Sequence, residues 1–446
     1  MEFPKEFAAR MRDMLGAEYE QFERAFSSDA EYGAVRINTL KRGARAAVEA
    51  KLGGAERVPW CADAYYCDKS VLSGKHPYHA AGLIYFQEPS ASAAVPMLGI
   101  KKGARVLDLC AAPGGKATQA AAALAGEGLL IANEIVPKRA KILSENIARL
   151  GIKNAVVMNE TPERLAERFA DFFDYIILDA PCSGEGMFRK EPRALQEWSA
   201  AHTEACALRQ QHIADCAVKM LAAGGRLIYS TCTFAPCENE GTAAYILDGN
   251  PEMRLLPIDA PGLTDGCGEW VGSARDLSYT KRIFPHRAHG EGHFFALFEK
   301  TDGARAEMAS EKGIRSPEYD DFCRQSLKNP PCGKIRAFGN RLYLSEDNIC
   351  LDKLRVLRAG LELGEIRKGR FVPAYALCLA ADGGDFAQIA DFPAEDDRVC
   401  AYLRGETVAG EVNGWCAVCA DGFPLGWGKA SGGVIKNHYP KYLRQF

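Results

Sequence analysis

The chain has 446 residues, of which 47% are hydrophobic and 25% are charged, an ordinary composition for a globular protein. At about 150 residues per domain, this length predicts more than one folded unit. The net charge of -3 excludes a uniformly basic nucleic-acid-binding protein, so any contact with nucleic acid would have to use local basic patches.

Sequence patterns also argue against membrane and secreted classes. The chain has no apolar run near the roughly 18 residues that span a bilayer, and its start lacks the apolar core of a signal peptide. Its 16 cysteines are far fewer than a disulfide scaffold of this length would need. We therefore expect a cytoplasmic protein with reduced thiols.

The predicted elements divide the chain into four parts. Residues 1–77 are predicted to form an α/β extension, with short helices before the segments VRINTLK and AYYCDKSVL. Over residues 78–301, the strand-like runs RVLDLC, GLLIANE, AVVMNE, DYIILDAPC and GRLIYSTCT are separated by amphipathic helical runs. This alternation predicts an α/β, Rossmann-like parallel sheet with helices on both faces, and GEGHFFALFEK predicts an antiparallel closing strand. Residues 302–318 are a polar linker, and residues 319–446 have the short strand-like runs of a β-rich module.

A turn with two glycines, DLCAAPGGK, joins the first strand of the predicted sheet to its helix. Glycines let the backbone approach a ligand, and a helix N-terminus offers free N–H groups. Glu134 ends the second strand, where Rossmann-like folds place an acid on ribose hydroxyls. The turn matches neither the dinucleotide fingerprint nor the P-loop. The pattern therefore favours S-adenosylmethionine, and a tight turn without any ligand is the alternative.

Two cysteine motifs follow the fourth and fifth predicted strands, DAPCSGEG and YSTCTFAPCENE. With CAAPGGK, they resemble the RNA 5-methylcytosine methyltransferase family, the Nol1/Nop2/Sun group, over roughly residues 80–300. The segments VRINTLK, YFQEPSAS and GEGHFFALFEK extend the resemblance, which implies that residues 1–77 are an RNA-binding extension. The ending GWGKASGGVIKNHYPKYLR is similar to the PUA-like terminal module of the bacterial RsmF type, which methylates 16S ribosomal RNA.

The resemblance implies a reaction that needs two thiols. Cytosine C5 is a weak nucleophile, so a thiolate first adds to C6, and after methyl transfer a base removes the C5 proton. By the family's motifs, Cys232 is the nucleophile, Cys182 assists product release, and Asp179 hydrogen-bonds the pyrimidine edge near N3. Independently, ligands bind outside the carboxyl ends of parallel strands, where all three side chains are predicted to lie.

The expected cofactor site combines the glycine turn, the ribose acid and residues implied by the resemblance. Arg139 is expected near the cofactor, and Glu160 stands close to the place where the family often has a third-strand aspartate for adenine. The complete set of expected cofactor-binding residues is Cys110, Ala111, Ala112, Pro113, Gly114, Gly115, Lys116, Glu134, Arg139, Glu160 and Asp179.

The remaining cysteines have simpler interpretations. Cys206 and Cys216 lie in a helical pattern and are predicted core residues. Cys416 and Cys419 have the spacing of half a zinc site, but no second pair or histidine cluster completes it, so we expect no metal. Cys237, five residues after Cys232, is interpreted as incidental.

Residues 426–446 contain basic and aromatic side chains and no acid. Positive charge beside aromatic faces is typical of an RNA-binding surface, whereas a solvated tail is the alternative. The side chains concerned are Lys429, Lys436, Lys441, Arg444, Trp427, Tyr439 and Tyr442.

These observations predict a monomeric, S-adenosylmethionine-dependent RNA (cytosine-5)-methyltransferase that acts on 16S ribosomal RNA and extrudes its target base. The same chemistry on transfer RNA is the nearest alternative. A DNA methyltransferase is disfavoured, because that class uses the PC-motif thiol as nucleophile. A non-catalytic ribosome-assembly factor is a further alternative, which the intact Cys182, Cys232 and Asp179 oppose.

Overall fold

The computed structural model describes residues 2–27, 33–68, 70–308, 310–346 and 349–444. Within these ranges, no helix combines the length and the apolar character needed to cross a bilayer. Along the chain, a helix pair and a small sheet precede a large central sheet, and smaller β-rich units follow it.

The N-terminal part is a helix pair followed by a small antiparallel sheet of order β2-β1-β3. Its elements are α1 (Lys5–Leu15), α2 (Tyr19–Ser27), β1 (Ala34–Ile37), α3 (Ala44–Leu52), β2 (Ala64–Tyr66), α4 (Pro77–Ala80) and β3 (Ile84–Gln87). Because β3 pairs with β1, this sheet continues past the expected boundary at residue 77. The buried Arg36 joins it to the next part, donating to Gln87 at 2.9 Å and to Thr118 at 2.7 Å.

The central part is a Rossmann-like sheet of order β10-β11-β12-β8-β7-β4-β5-β6-β15, with β9 paired to β12. Its last strand, β15 (Val356–Ala359), comes from the C-terminal part of the chain. Strands β4 to β8 are parallel, and β12 closes the sheet antiparallel to β8, as the sequence predicts. Its strands are β4 (Arg105–Asp108), β5 (Leu129–Asn133), β6 (Ala155–Met158), β7 (Phe173–Asp179), β8 (Leu221–Thr231), β9 (Met253–Leu255), β10 (Thr264–Asp265), β11 (Lys281–Ile283) and β12 (His293–Lys300).

Helices pack between these strands along the chain. They are α5 (Ala94–Leu98), α6 (Gly115–Leu124), α7 (Pro137–Arg149), α8 (Pro162–Arg168), α9 (Pro192–Glu197), α10 (Ala200–Met220) and α11 (Glu240–Gly249). Apolar side chains from both faces of the sheet are buried beneath them, which explains why β5 and β6 are buried throughout rather than on alternate residues. Cys206 and Cys216 are buried on α10, as expected for core residues.

The C-terminal part is β-rich, as predicted. Its elements are α12 (Pro317–Ser326), β13 (Lys334–Phe338), β14 (Arg341–Ser345), β15 (Val356–Ala359), β16 (Leu361–Arg367), β17 (Arg370–Pro373), α13 (Tyr375–Leu379), β18 (Ile389–Phe392), α14 (Asp397–Arg404), β19 (Val408–Ala409), β20 (Gly414–Ala420), β21 (Phe423–Ser431) and β22 (Val434–Asn437). They form sheets of order β13-β14-β16-β17 and β18-β20-β21-β22-β19.

Strand β15 differs from the expectation of a separate module over residues 319–446. It leaves its own neighbours and pairs antiparallel with β6, so that it forms the edge of the central sheet. The expected linker also packs on that sheet, since the carbonyl of Ala306 accepts a hydrogen bond from Arg105 at 2.8 Å.

Two aromatic residues of the basic ending lie in the core rather than on a surface. Trp427 is 1% exposed because β21 is buried continuously over residues 424–428, and Tyr439 is 4% exposed because it packs against Tyr375 and Tyr402. They cannot stack on RNA bases. Tyr442 remains exposed, and Trp415 packs at the surface beside Lys429 and His438.

Candidate active site

Two cysteine thiols face each other where β7 and β8 end. The Sγ atoms of Cys182 and Cys232 are 3.3 Å apart, because Asp179 and Ser230 are register partners on adjacent parallel strands. The hydrogen bond with Cys232, together with burial, raises the pKa of the Cys182 thiol well above its usual value. Cys182 is therefore a protonated thiol at neutral pH. The structure brings together the cysteines that the motifs predict.

A buried carboxylate, Glu238, connects the two cysteine loops. One oxygen accepts from the Ser183 N–H at 2.9 Å and from Gln210 at 2.8 Å, and the other accepts from the Ser183 hydroxyl. The same hydroxyl lies 2.8 Å from that of Thr233, so the residues that follow each cysteine share one network. Burial raises the pKa of Glu238 to about 7, although the hydrogen bonds from Ser183 act in the opposite direction.

A second buried carboxylate, Glu185, attaches the N-terminal helix pair to these loops. Its oxygens accept from Arg10 on α1 at 2.7 Å, from the indole of Trp198 at 2.7 Å and from the Phe234 N–H at 3.0 Å. Phe7 and Phe22 pack nearby in the aromatic cluster that contains Phe234. The position of the loop after Cys232 therefore depends on residues near the start of the chain.

Asp179 lies at the end of β7 among polar groups from three other elements. Lys116 Nζ is 2.8 Å from one carboxylate oxygen, the Ser230 hydroxyl donates to the other at 2.8 Å, and His293 Nε2 is 3.5 Å from that second oxygen. Burial acts to raise the pKa of Asp179, but neighbouring groups, the charge of Lys116 first among them, outweigh it and hold the pKa well below its usual range. Asp179 is therefore an ionised hydrogen-bond acceptor.

A cleft beside Asp179 fits the cofactor. Gly114 has a φ of +119° at the N-cap of α6, a left-handed conformation that favours glycine and brings the turn close to the cleft. Asp108 is fully buried at its wall, and neither carboxylate oxygen has a hydrogen-bond partner among the described residues. Such an unpartnered group suits a bound polar ligand. The lining is Tyr85, Phe86, Gln87, Glu88, Ala91, Asp108, Cys110, Ala111, Ala112, Pro113, Gly115, Lys116 and Asp179.

Glu134 and Arg139 lie beside this cleft, next to the glycine turn. Glu134 is 3% exposed, and one of its oxygens accepts from the Val136 N–H at 2.8 Å. Arg139 donates to the carbonyl of Ala112 at 2.8 Å and is 3.5 Å from the other Glu134 oxygen. Both residues thus lie beside the glycine turn, and contact of Glu134 with the ribose stays a prediction.

Glu160 does not line the cleft. Its carboxylate accepts from the Arg355 N–H at 2.6 Å and lies 3.3 Å from the Arg355 side chain. The strand after Arg355 covers this edge of the sheet, and the expected cofactor role of Glu160 stays a prediction. That pairing is long-range, and the local pattern around Asn159 and Glu160 carries no sign of it.

Sequence reasoning missed several side chains around the two cysteines. Glu238 and His293 lie within quoted motifs, and Gln87 and Glu88 of YFQEPSAS line the cleft. A charged or polar residue inside an otherwise apolar strand end, such as the histidine of HFFALF, was the sequence pattern that could have identified them.

The sheet, the cleft at its carboxyl edge and the paired cysteines define a Rossmann-like methyltransferase. Family models support this class along most of the chain. They describe the N-terminal domain of 16S rRNA methyltransferase RsmF over residues 3–89, and the 16S rRNA methyltransferase RsmB/F over residues 95–299. The RsmF rRNA methyltransferase first C-terminal domain matches residues 321–380, and the methyltransferase RsmF PUA domain matches residues 390–445.

Individual proteins give the same result. Ribosomal RNA small subunit methyltransferase F of Enterobacter sp. (strain 638) is 32% identical, with 99% of this chain and 96% of the relative covered. The protein of the same name from Shewanella piezotolerans is 28% identical, with 94% of this chain and 92% of that relative covered. The chain therefore belongs to the RsmF family of ribosomal RNA small subunit methyltransferases, and S-adenosylmethionine is its cofactor.

Solved structures share the fold of about two thirds of the chain. A methyltransferase homolog protein from Pyrococcus horikoshii is 27% identical with a TM-score of 0.59, covering 67% of this chain and 95% of that one. NSun6 from Pyrococcus horikoshii, solved with SFG, is 22% identical with a TM-score of 0.58, covering 68% of this chain and 99% of that one. At that identity, the second likeness concerns the fold alone.

Proposed function

We propose that this protein methylates C5 of a cytosine in 16S ribosomal RNA through a covalent bond between Cys232 Sγ and cytosine C6. The observation that carries the proposal is the pair of thiols, 3.3 Å apart beside the cofactor cleft. Methylation of a nitrogen or an oxygen needs no thiol nucleophile, whereas attack at C6 makes C5 nucleophilic. The 16S substrate is the one named in the family models, and the matching relatives are named for small subunit ribosomal RNA.

In the proposed reaction, S-adenosylmethionine supplies an electrophilic methyl group. The Cys232 thiolate adds to C6, and the electron pair of the C5–C6 double bond becomes available at C5 for a new carbon–carbon bond. A base then takes the C5 proton, the double bond re-forms, and the C6–S bond breaks. Cys182, held as a neutral thiol, is placed to give its proton to the departing Cys232 sulfur.

Asp179 would orient the base from the other side. As an ionised carboxylate it is an acceptor, so its partner on cytosine is the exocyclic amino group beside N3. The ion pair with Lys116 fixes one oxygen and leaves a lone pair of the other available. Uracil, with a carbonyl in that place, would meet the carboxylate with two acceptors facing each other.

Cysteine variants test the covalent step. Cys232→Ala should abolish methyl transfer and any protein–RNA adduct, since no nucleophile remains. Cys182→Ala should form the bond and resolve it slowly, so that an adduct accumulates on denaturing electrophoresis. The double variant should show no adduct, and the neighbouring Cys237→Ala should behave like the intact protein. An adduct lost in Cys182→Ala and retained in Cys232→Ala would overturn this assignment of roles.

Bisulfite sequencing tests the reaction and its substrate. RNA from cells with and without the gene should differ at a cytosine of 16S ribosomal RNA. A difference confined to transfer RNA would mean that transfer RNA is the substrate, and the cytosine-5 reaction would still stand. If no cytosine differs in either RNA, the cytosine-5 proposal fails.

A further inference from the structure

His293 is a buried histidine that the fold leaves without hydrogen bonds. It is 4% exposed, and neither ring nitrogen has a hydrogen-bond partner among the described residues. The imidazole stacks on Phe295, with ring centroids 5.0 Å apart and planes inclined by 29°, so its orientation is fixed by packing. Leaving a buried polar group unpaired costs stability, which makes such a group a candidate for ligand contact.

The strand register places His293 at the two-cysteine site. Strand β12 begins at His293, and its neighbour Phe294 is the partner of Thr231 on β8. One residue beyond this pair, the next residues along the two chain segments are His293 and Cys232. Since Phe295 pairs with Ser230 and Ser230 with Asp179, the side chains of Asp179, His293 and Cys232 occupy one face of the sheet end.

His293 and Asp179 present complementary hydrogen-bonding groups. Nε2 of His293 lies 3.5 Å from Oδ1 of Asp179, longer than a good hydrogen bond, so the two atoms stand side by side. A neutral imidazole offers an N–H donor and a lone pair, whereas the carboxylate only accepts. Cytosine offers the matching pair on adjacent atoms, an amino donor on C4 and an acceptor at N3.

We propose that His293 contacts the extruded cytosine, donating an N–H to N3 while Asp179 accepts from the exocyclic amino group. The inference rests on the proposed cytosine-5 function and adds a specificity-determining residue to it. Uracil presents the reverse pattern, an acceptor on C4 and a donor at N3, and both contacts would be lost.

The same contact would assist the chemistry. When Cys232 adds to C6, negative charge develops over the ring and reaches N3. A donor already placed at N3 stabilises that charge without reorganisation, as donors in an oxyanion hole do. His293 would thereby affect the rate of addition as well as the choice of base.

The charged and titratable groups around His293 are consistent with a neutral ring. Those that face it are Asp179 at the end of β7, Lys116 on α6 and Glu88 after β3. Burial, reinforced by the charge of Lys116, lowers the pKa of His293 despite the two carboxylates. The imidazole thus keeps one N–H and one lone pair at neutral pH.

A chemical double-mutant cycle tests the contact. The probe is an RNA fragment spanning the methylated position, with either cytidine or 3-deazacytidine there, which replaces N3 by a C–H group. Binding is measured on Cys232→Ala, so that no turnover occurs, and on Cys232→Ala with His293→Phe. Comparing the two proteins cancels any effect of the analogue on the RNA itself.

We expect 3-deazacytidine to weaken binding to Cys232→Ala about tenfold more than it weakens binding to the His293→Phe double variant. With Cys232 present, His293→Phe should slow single-turnover methylation by a similar factor or more. Combining His293→Gln, which keeps an N–H donor, with Cys232→Ala should restore part of the affinity loss that 3-deazacytidine causes. Combining His79→Phe, which removes another ring from the N-terminal part, with Cys232→Ala should leave that affinity loss unchanged.

An equal analogue penalty in both proteins would overturn the inference, whatever their absolute affinities. Thermal unfolding and S-adenosylmethionine binding verify that each variant is folded. Should His293→Phe fail to fold, His293→Gln and His293→Asn carry the same comparison, because only the former reaches as far as the imidazole. Failure of the proposed function is distinguishable, since the intact protein would then leave the target cytosine unmethylated.

Discussion

Two aspartates at neighbouring strand ends have opposite protonation states. Asp179 is ionised because Lys116 lies 2.8 Å from it, whereas Asp108, at the end of β4, has no such partner. Burial, reinforced by the charge of Asp179, raises the pKa of Asp108 to about 8. Neighbouring carboxyl groups whose environments separate their pKa values are a common feature of active sites. Here, one can accept a hydrogen bond and the other can donate one.

The neutral Asp108 predicts a specific dependence of stability on pH. Between its ordinary pKa of 3.8 and about 8, the folded protein keeps a proton that the unfolded chain has lost, so stability falls as pH rises. Asp108→Asn removes this effect. The unfolding free energy of the variant relative to the parent should rise by up to about 1.4 kcal/mol per pH unit across that window. Urea unfolding at several pH values measures it, with Asp259→Asn, which replaces an exposed aspartate, as the control.

Glu134 is the residue with the clearest cofactor prediction. Hydrogen bonds to a charged acceptor contribute about 1.5–3 kcal/mol, so Glu134→Ala should weaken S-adenosylmethionine binding roughly ten- to a hundredfold. Calorimetry provides the measurement. Glu167→Ala, which removes an exposed carboxylate on α8, is the control and should leave the affinity within about twofold. Equal losses in both variants would remove Glu134 from the ribose site.

At the scale of elements, α1 acts on a loop far away in the sequence. Arg10 donates to both oxygens of Glu185, which also holds the Phe234 N–H beyond Cys232. A side chain from the first helix therefore helps to position both cysteine loops. The helix pair is expected to be part of the catalytic unit rather than only the RNA-binding extension that residues 1–77 suggest.

Arg10→Met tests this coupling. It leaves the fully buried Glu185 without its counter-charge, so we expect a loss of about 1–3 kcal/mol in unfolding free energy and at least a tenfold slower methyl transfer. Arg24→Met, which breaks an exposed ion pair with Glu20 on α2, should change stability by less than about 0.5 kcal/mol. Normal turnover in Arg10→Met, despite lost stability, would show that the loops hold their positions without α1.

Elements were predictable where a local pattern specifies them. Strands β4 to β8 follow from apolar runs that alternate with helices, and the pairing of Cys182 with Cys232 follows from the strand ends they occupy. Strand β15 was not predictable, because its four residues pair with β6 across some two hundred positions of chain. The same long-range contact gives the Glu160 carboxylate a partner in Arg355, which the local sequence does not show. Burial of Trp427 was missed for a related reason, since composition does not show which side of β21 faces inward.

At the scale of the whole molecule, the C-terminal part is built into the rest. Val35 and Ile37 of the N-terminal sheet share a core with Val418 and Ile435, and the buried Lys41 donates to the carbonyl of Leu379. With β15 in the central sheet, removing residues 319–446 would expose these apolar surfaces. A role of the PUA domain in RNA binding is therefore better tested by surface charge than by deletion.

The exposed lysines of the basic ending provide that test. Lys429, Lys436 and Lys441 are exposed around β21 and β22, and Lys429 lies 5.3 Å from the ring centroid of Trp415. Each lysine on a phosphate releases counterions, so replacing all three by glutamine should flatten the slope of log affinity against log salt by about 2–3. S-adenosylmethionine affinity and turnover at saturating RNA should stay near normal, because the cofactor cleft lies on another part of the molecule.

A matched triple variant makes the comparison independent of net charge. Lys101, Lys102 and Lys153 are equally exposed but lie before β4 and β6, at the amino ends of the parallel strands and away from the cysteines. Replacing them by glutamine changes the net charge by the same amount and should leave the salt slope unchanged. Equal slopes for both triple variants would mean that RNA senses only overall charge, and the basic ending would then lose its predicted role as an RNA-binding surface.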